Sequence, residues 1–218
     1  MGLQNGLRKA GGNASRYRRQ TLRLKEKSLL LIICFIACVA SVPLAGGRLD
    51  ALASFRPRFA WIVFVALAMQ IGIISTFPGS GSAYVAVHLL SYVLLLVFLL
   101  NNRKLPGLWI IATGTVMNFV AIASNGGVMP ATMGALKDAG MSIDSAEFAN
   151  SAHLVDPKFG FLGDVFAIPA VFPFANVFSA GDVLILLGAL LTLHQVCATR
   201  FFPARPTLIP LQSIDGTV

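Results

Sequence analysis

Five long apolar runs constrain the fold of this chain more than any other feature of its sequence. They cover residues 28–45, 59–77, 83–100, 106–123 and 181–199. Each is close to the roughly 17–25 residues that a helix needs to cross a bilayer. Hydrophobic residues make up 56% of the chain and charged residues 12%, a composition that excludes an ordinary soluble fold. Because lipid offers no hydrogen bonds to the backbone, the runs predict an all-α integral membrane protein with about five transmembrane helices.

The apolar runs also divide the chain into three parts. Residues 1–27 are predicted to be a flexible basic arm, residues 28–199 the membrane domain, and residues 200–218 a short tail. Many of the Lys and Arg residues lie in the arm, which is typical of attraction to anionic lipid headgroups. Its one aromatic residue, Tyr17, gives little support for nucleic-acid binding. The predicted partner is therefore the lipid bilayer, and no nucleic acid is expected.

The loops between the runs alternate in charge. The loops after the first and third runs are basic, the loop at 78–82 is uncharged, and the long segment 124–180 is net acidic. By the positive-inside rule, the basic loops lie in the cytoplasm and segment 124–180 lies outside, which predicts a multi-pass protein of the inner (plasma) membrane. Five full spans would also place the basic arm outside. The sequence therefore leaves open whether residues 28–45 cross completely and on which side the N-terminus lies.

Several polar side chains interrupt the apolar runs. They are Gln70 in the second run, Tyr84, His88, Ser91 and Tyr92 on one face of the third, Asn118 in the fourth and His194 in the fifth. Polar groups inside a membrane face the bundle interior, where we expect them to hydrogen-bond between helices. The two histidines fall at different depths, and Cys34 with Cys38 has no further ligand nearby. We therefore expect no cofactor and no metal.

The stretch Phe159–Asp182 is as apolar as a spanning helix, but its backbone is interrupted. Gly160, Gly163, Pro169 and Pro173 break it. Non-helical backbone at membrane depth is tolerated where it lines a site or a cavity. The sequence therefore predicts a broken or re-entrant stretch within the long outer segment 124–180.

Two aspartates mark this stretch. Asp164 follows Gly163, and Asp182 opens the last apolar run. Two carboxylates held close together share a proton, so that one can activate water while the other donates. A structural alternative also fits, because Ser179 and Asp182 have the spacing of a helix capping box. Both interpretations stay open at this point.

Several motifs resemble those of a bacterial membrane protein family catalogued as a domain of unknown function. They are GGRL at 46–49, Asn118, NGGVMP at 125–130, LGD at 162–164 and NVFSAGD at 176–182. The resemblance covers roughly residues 29–198. It implies a multi-helix membrane fold and supplies no activity.

Two blocks also resemble lipoprotein signal peptidase, an aspartyl protease at the outer membrane face. They are GDVF at 163–166 and FANVFSAGD at 174–182. This resemblance implies that Asp164 and Asp182 are catalytic and that Asn176 positions the substrate.

The expected function is that of an uncharacterised polytopic membrane protein with an outer-face polar pocket. Asn118, Asn125 and Asn176 are the expected ligand-binding residues, beside Asp164 and Asp182, and the ligand is expected to be small or lipid-like. The alternative is an intramembrane aspartyl hydrolase.

The charge pattern generates a test of topology. Single cysteines placed between residues 134 and 150, in a variant without the three native cysteines, should react in intact cells with a membrane-impermeant thiol reagent. Cysteines in the loop 101–105 should be protected, because the positive-inside rule places that loop in the cytoplasm. Labelling of loop 101–105 under the same conditions would contradict the assignment.

Overall fold

Helices form most of the structure. The computed structural model describes residues 33–34, 36–76, 81–141, 151–172 and 174–202. In this part the helices are α1 (36–44), α2 (Ala51–Ser54), α3 (Trp61–Thr76), α4 (Ser82–Asn101), α5 (Leu108–Ser124), α6 (Met133–Asp138) and α7 (Ala180–Val196). The basic arm 1–27 lies outside the described residues.

The long segment between α5 and α7 contains strands, which corrects the expectation of an all-α fold. Strand β1 (Met129–Pro130) pairs in parallel with β2 (Ser151–Ala152). Strand β3 (Asp164–Ile168) pairs antiparallel with β4 (Asn176–Ser179), and a 3₁₀ turn precedes it. Valine, isoleucine and phenylalanine favour strands, and the proline-containing turn lets the chain reverse. The interrupted apolar stretch Phe159–Asp182 is therefore a β-hairpin and not a re-entrant helix.

The hairpin packs on a small core of its own. Ala135 and Leu136 of α6 are buried with Val177 of β4 and with Met141. Thr132 caps the start of helix α6, because its hydroxyl accepts a hydrogen bond from the backbone N–H of Ala135 at 3.3 Å. Sequence patterning gave no prediction of this six-residue helix, since it is too short to show a clear apolar period.

Helix length separates α4 from the other long helices. Within the described residues, α4 is the one helix whose 20 residues are long and apolar enough to cross a membrane. Helices α5 and α7 have 17 residues each and α3 has 16. In this part of the chain, one helix thus has the length and composition to span a membrane, where the sequence predicted about five.

Helices α5 and α7 form the closest helix pair, because glycines face each other along their contact. A Cβ atom added to Gly107 would lie 2.8 Å from the carbonyl oxygen of Gly188. A Cβ on Gly114 would overlap the carbonyl oxygen of Gly181. Small residues let two helix backbones approach closely enough for extensive van der Waals contact.

Polar side chains link neighbouring helices, as the sequence predicts for most of them. Gln70 of α3 donates to the hydroxyl of Ser91 of α4 at 3.2 Å. The Nε2 atom of His194 of α7 lies 2.9 Å from the hydroxyl of Ser41 of α1. These contacts, with the Asn118 bond described below, confirm the expected interhelical hydrogen bonds. By contrast, the buried Nε2 of His88 has no hydrogen-bond partner among the described residues.

The basic loops converge at one end of the helices. The N–H of Arg200 donates to Ala45 at 3.0 Å, and the N–H of Arg48 donates to Cys197 at 2.9 Å. The side chain of Asn102, at the end of α4, hydrogen-bonds the backbone of Arg58 before α3. The hairpin lies at the other end, where α5 ends and α7 begins.

The glycine contact generates a stability prediction. Gly188→Ala places a methyl group 2.6 Å from Ile111 Cγ1 and 2.7 Å from the Ile111 nitrogen. Such overpacking should destabilise the protein by about 1–3 kcal/mol. Gly72→Ala in α3 is the matched control, because its Cβ would meet nothing within 4 Å. That variant should be neutral or more stable by up to about 1 kcal/mol.

Thermal unfolding of the purified protein, followed by tryptophan fluorescence, measures both variants. Equal melting temperatures for Gly188→Ala and Gly72→Ala would show that the α5 and α7 backbones are not in close contact.

Candidate functional site

A capping box fixes the start of α7. The hydroxyl of Ser179 accepts a hydrogen bond from the backbone N–H of Asp182 at 3.0 Å. In return, the backbone N–H of Ser179 donates to Asp182 Oδ2 at 2.9 Å. The spacing of these two residues predicted this motif, and the prediction is confirmed. Asp182 thus has a structural role whatever else it does.

Asn118 hydrogen-bonds both residues of the capping box. We call Asn118, Ser179 and Asp182 the carboxylate–amide network. The Nδ2 of Asn118 donates to Asp182 Oδ1 at 2.7 Å, and its Oδ1 accepts from the Ser179 hydroxyl at 2.9 Å. Asn118 is 3% exposed, so these bonds form away from bulk water. Each oxygen of the Asp182 carboxylate therefore accepts a bond from the protein. Hydrogen bonds to a charged group contribute about 1.5–3 kcal/mol each.

Asp164 lies beside this network because of the hairpin register. It pairs across the β3–β4 ladder with Ser179, and its side chain is only 4% exposed. Ser151 donates to Asp164 Oδ2 at 2.7 Å, and the Asp164 carbonyl accepts from the N–H of Thr132 at 3.1 Å. Asp164 and Asp182 therefore flank Ser179 from two directions.

Tyr92 connects α4 to α5. Its ring is 6.2 Å from the ring of Phe119 on α5. Phe119 directly follows Asn118 in the chain, so Tyr92 lies on the side of α4 that faces α5.

Tyr84, His88 and Tyr92 form an aromatic row along α4. The rings of Tyr84 and His88 are stacked with their centroids 6.0 Å apart, and those of His88 and Tyr92 meet edge to face at 5.5 Å. Residues four apart share a helix face, so the row was visible in the sequence. The contact of Tyr92 with Phe119 was not visible, because it depends on how α4 packs.

Asn125, an expected ligand-binding residue, acts as a clamp on a distant loop. Its side-chain NH₂ donates to the carbonyls of Ala121 and Lys158, both at 2.7 Å. Its side-chain oxygen accepts from the Lys158 N–H at 3.0 Å. Both ends of the amide are thus occupied by backbone groups.

Asn176 also lies apart from the network. It pairs with Ile168 near the tip of the hairpin. Successive strand residues point to opposite faces, and the buried residues of β4 are Val177 and Ser179. Asn176 is therefore on the other face from Ser179. The structure brings Asn118, Asp164 and Asp182 together, and it leaves Asn125 and Asn176 outside.

Ser151 is the member of the site that sequence reasoning missed. It reaches Asp164 because β2 pairs with β1, where Ser151 lies opposite Met129, a residue 22 positions earlier in the chain. Such a parallel pairing across a long connection leaves no local pattern to detect. Within the described residues, no group of three or more His, Cys, Asp or Glu side chains is placed to hold a metal ion.

These features define a class of mostly helical protein in which a β-hairpin covers a glycine-packed helix pair and buries an aspartate beside a carboxylate–amide network. The chain belongs to a family of unknown function (DUF5317), whose sequence model matches residues 54–194. This confirms the resemblance to a family without assigned activity.

The chain is also similar to an uncharacterized protein of Thermotoga maritima. The two are 32% identical over 126 residues, which cover 57% of this chain and 70% of the relative. No solved structure matches the chain. The resemblance to lipoprotein signal peptidase stays a prediction.

The network generates a second stability prediction. Ser179→Ala removes the cap of α7 and the donor to Asn118 Oδ1, so it should destabilise the protein by about 1–3 kcal/mol. Thr113→Ala is the control, because the exposed Thr113 hydroxyl donates to the Trp109 carbonyl of its own helix and has no bond to another element in the described part of the chain. Chemical denaturation of both variants, with helix content followed by circular dichroism, measures the difference. Equal losses would show that the network does not hold α7.

Proposed function

We propose that the chain is a multi-pass protein of the inner (plasma) membrane whose outer-face polar site binds a small or lipid-like ligand. One observation carries this proposal: the buried carboxylate of Asp164 and the half-buried carboxylate of Asp182 flank Ser179 next to the buried amide of Asn118. Buried polar groups in an apolar protein are costly, and their usual purpose is a site.

Helix surfaces support the membrane location. Helix α4 is long enough to cross, and α5 and α7 are at the lower end of the spanning range of roughly 17–25 residues. Phe64 and Leu67 of α3 are exposed, as are Val93 and Val97 of α4. Large apolar side chains on the outside of a helix pack suit hydrocarbon better than water.

The two ends of the helices support an orientation. Trp61 and Trp109 begin α3 and α5 at the end where the basic loops converge, and Trp61 is 60% exposed. Tryptophan and basic residues together are typical of a cytoplasmic membrane interface. The proposal therefore places segment 124–180 in the extracytoplasmic space.

The chemistry of the site limits the ligand. Asp182 accepts one protein hydrogen bond at each oxygen, whereas an ionised carboxylate has roughly four acceptor positions. A ligand with hydroxyl or amine donors can use the remaining positions. Val183 and Leu186 of α7, which follow Asp182 in the chain, are exposed and add an apolar surface, which favours an amphiphilic ligand.

The flanking arrangement of the two aspartates also favours a second candidate, an aspartyl hydrolase. In that mechanism one carboxylate takes a proton from water while the protonated partner donates to the leaving group. The capping box opposes this use of Asp182, because its carboxylate also holds the start of α7. Ligand binding needs no such freedom and is therefore the first proposal.

Substitution of single aspartates tests the proposal. Asp164→Asn should lower the amount of co-purified small molecule or lipid about tenfold, the loss expected when a charged hydrogen-bond partner is removed. Asp138→Asn is the matched control, since Asp138 ends α6 and lies outside the network. Native mass spectrometry of the detergent-solubilised protein, followed by solvent extraction, measures the bound species. Equal amounts in wild type and Asp164→Asn would contradict ligand binding at this site.

The same variants separate the two candidates. A hydrolase requires that Asp164→Asn and Asp182→Asn each abolish function in cells, and that the double variant lose little more. A binding protein in which Asp182 also caps α7 should instead show a lower melting temperature together with loss of ligand for Asp182→Asn, and loss of ligand without that decrease for Asp164→Asn.

A further inference from the structure

Three exposed cations are held together at the basic end of the helices. Arg58 precedes α3, and Arg103 and Lys104 directly follow Asn102 at the end of α4. In the described part of the chain, none of the three forms an ion pair, whereas Arg48 is paired with Asp50. We call Arg58, Arg103 and Lys104 the cation triad.

Asn102 fixes the relative position of the triad. Its Oδ1 accepts from the Arg58 N–H at 2.8 Å, and its Nδ2 donates to the Arg58 carbonyl at 2.8 Å. The same NH₂ group donates to the Phe98 carbonyl of α4 at 2.8 Å. Asn102 is 5% exposed, so this clamp is shielded from water. It brings the backbone of Arg58 next to the residues that carry the other two charges.

Helix electrostatics explain part of the triad but not Arg58. The negative end of the α4 dipole favours cations at Arg103 and Lys104. Arg58 lies before the first turn of α3, where the positive end of the dipole disfavours a cation. The clamp therefore holds the backbone of Arg58 beside two other cationic residues and at a helix N-terminus, an arrangement in which like charges are unfavourable. An anion bound among these groups would remove the repulsion.

The backbone beside Arg58 is strained. Phe59 has a φ of 57°, a left-handed conformation that is unfavourable for a residue with a bulky side chain. Strained residues persist where surrounding contacts fix them, and they concentrate at functional sites. Here the Asn102 clamp on the preceding residue supplies such a contact.

The exposed aromatic rings next to the triad indicate the source of the anion. Phe59 and Trp61 are both exposed and lie directly after Arg58 in the chain. Such side chains occupy the headgroup level of a bilayer, where the available anions are lipid phosphates. A soluble anion would not need an apolar rim.

We propose that the cation triad binds the phosphate of an anionic phospholipid headgroup and that Asn102 is its positioning residue. The proposal rests on the membrane location proposed above, but it is independent of the ligand site, which lies at the other end of the helices. The ligand class is a phospholipid whose headgroup has a net negative charge.

Brominated lipids test the site through Trp61. In a Trp109→Phe background, Trp61 is the remaining tryptophan, since the chain has two. The protein is reconstituted in phosphatidylcholine vesicles that carry an equal mole fraction of brominated phosphatidylglycerol or brominated phosphatidylcholine. Brominated phosphatidylglycerol should quench Trp61 more strongly. Each of Arg58→Gln, Arg103→Gln and Lys104→Gln should lower the relative association constant about fivefold.

Two matched controls accompany these variants. Arg48→Gln removes one charge at the same end, but Arg48 is already paired, so the lipid preference should stay unchanged. Asn102→Ala keeps every charge and should still reduce the preference. Asn101→Ala should not, because among the described residues the Asn101 side chain bonds the Val97 carbonyl of its own helix and no other element. The Gln variants leave the clamp intact and test the site even if Asn102→Ala folds poorly.

Several outcomes would overturn the proposal. Equal quenching by the two brominated lipids in the wild type would show that the triad does not select an anionic lipid. An equal effect of Arg48→Gln and Arg58→Gln would show that general charge attraction, and not the triad, causes the preference. An unchanged preference in Asn102→Ala would show that Asn102 does not position the triad. Loss of the preference on adding inorganic phosphate, but not on adding sodium chloride at the same ionic strength, would assign the triad to a free anion. Failure of the membrane location is distinguishable, because neither brominated lipid would then quench Trp61.

Discussion

The bond between Asn118 and Asp182 is the interaction on which the rest of the structure depends. It joins α5 to α7 at the level where Gly114 and Gly181 bring the two backbones together. A side chain at Gly181 would overlap the Asn118 amide, so the glycine contact and the polar contact require each other. Since β4 leads directly into α7, fixing the start of α7 also fixes the hairpin and the position of Asp164.

The parts of the fold that the sequence predicted are those with local causes. The capping box depends on two residues three apart, and the helical regions depend on continuous apolar runs. The parts that it missed depend on distant pairing. Asp164 meets Ser151 only because β1 pairs with β2, and Asn125 meets Lys158 across 33 residues. For the same reason the stretch that was expected to be re-entrant formed a hairpin, whose register no single segment determines.

The sequence predicted those residues of the site that lie at the start of a helix or a strand. Asp164 opens a strand, Asp182 opens a helix, and both could be identified by the glycine before them. Asn176 could not be judged in the same way. Whether it faces the network depends on the alternation of β4, and that alternation was hidden within an apolar stretch containing many phenylalanines.

Asn102 and Asn125 use the same chemistry at opposite ends of the helices. Each side chain binds both the N–H and the carbonyl of one remote residue, as a neighbouring strand would. Neutral amides are not screened by ions, whereas exposed charges lose most of their long-range attraction as ionic strength rises. Salt can therefore weaken the attraction of the basic end for anions while the Asn102 bonds still hold the loop that carries Arg58.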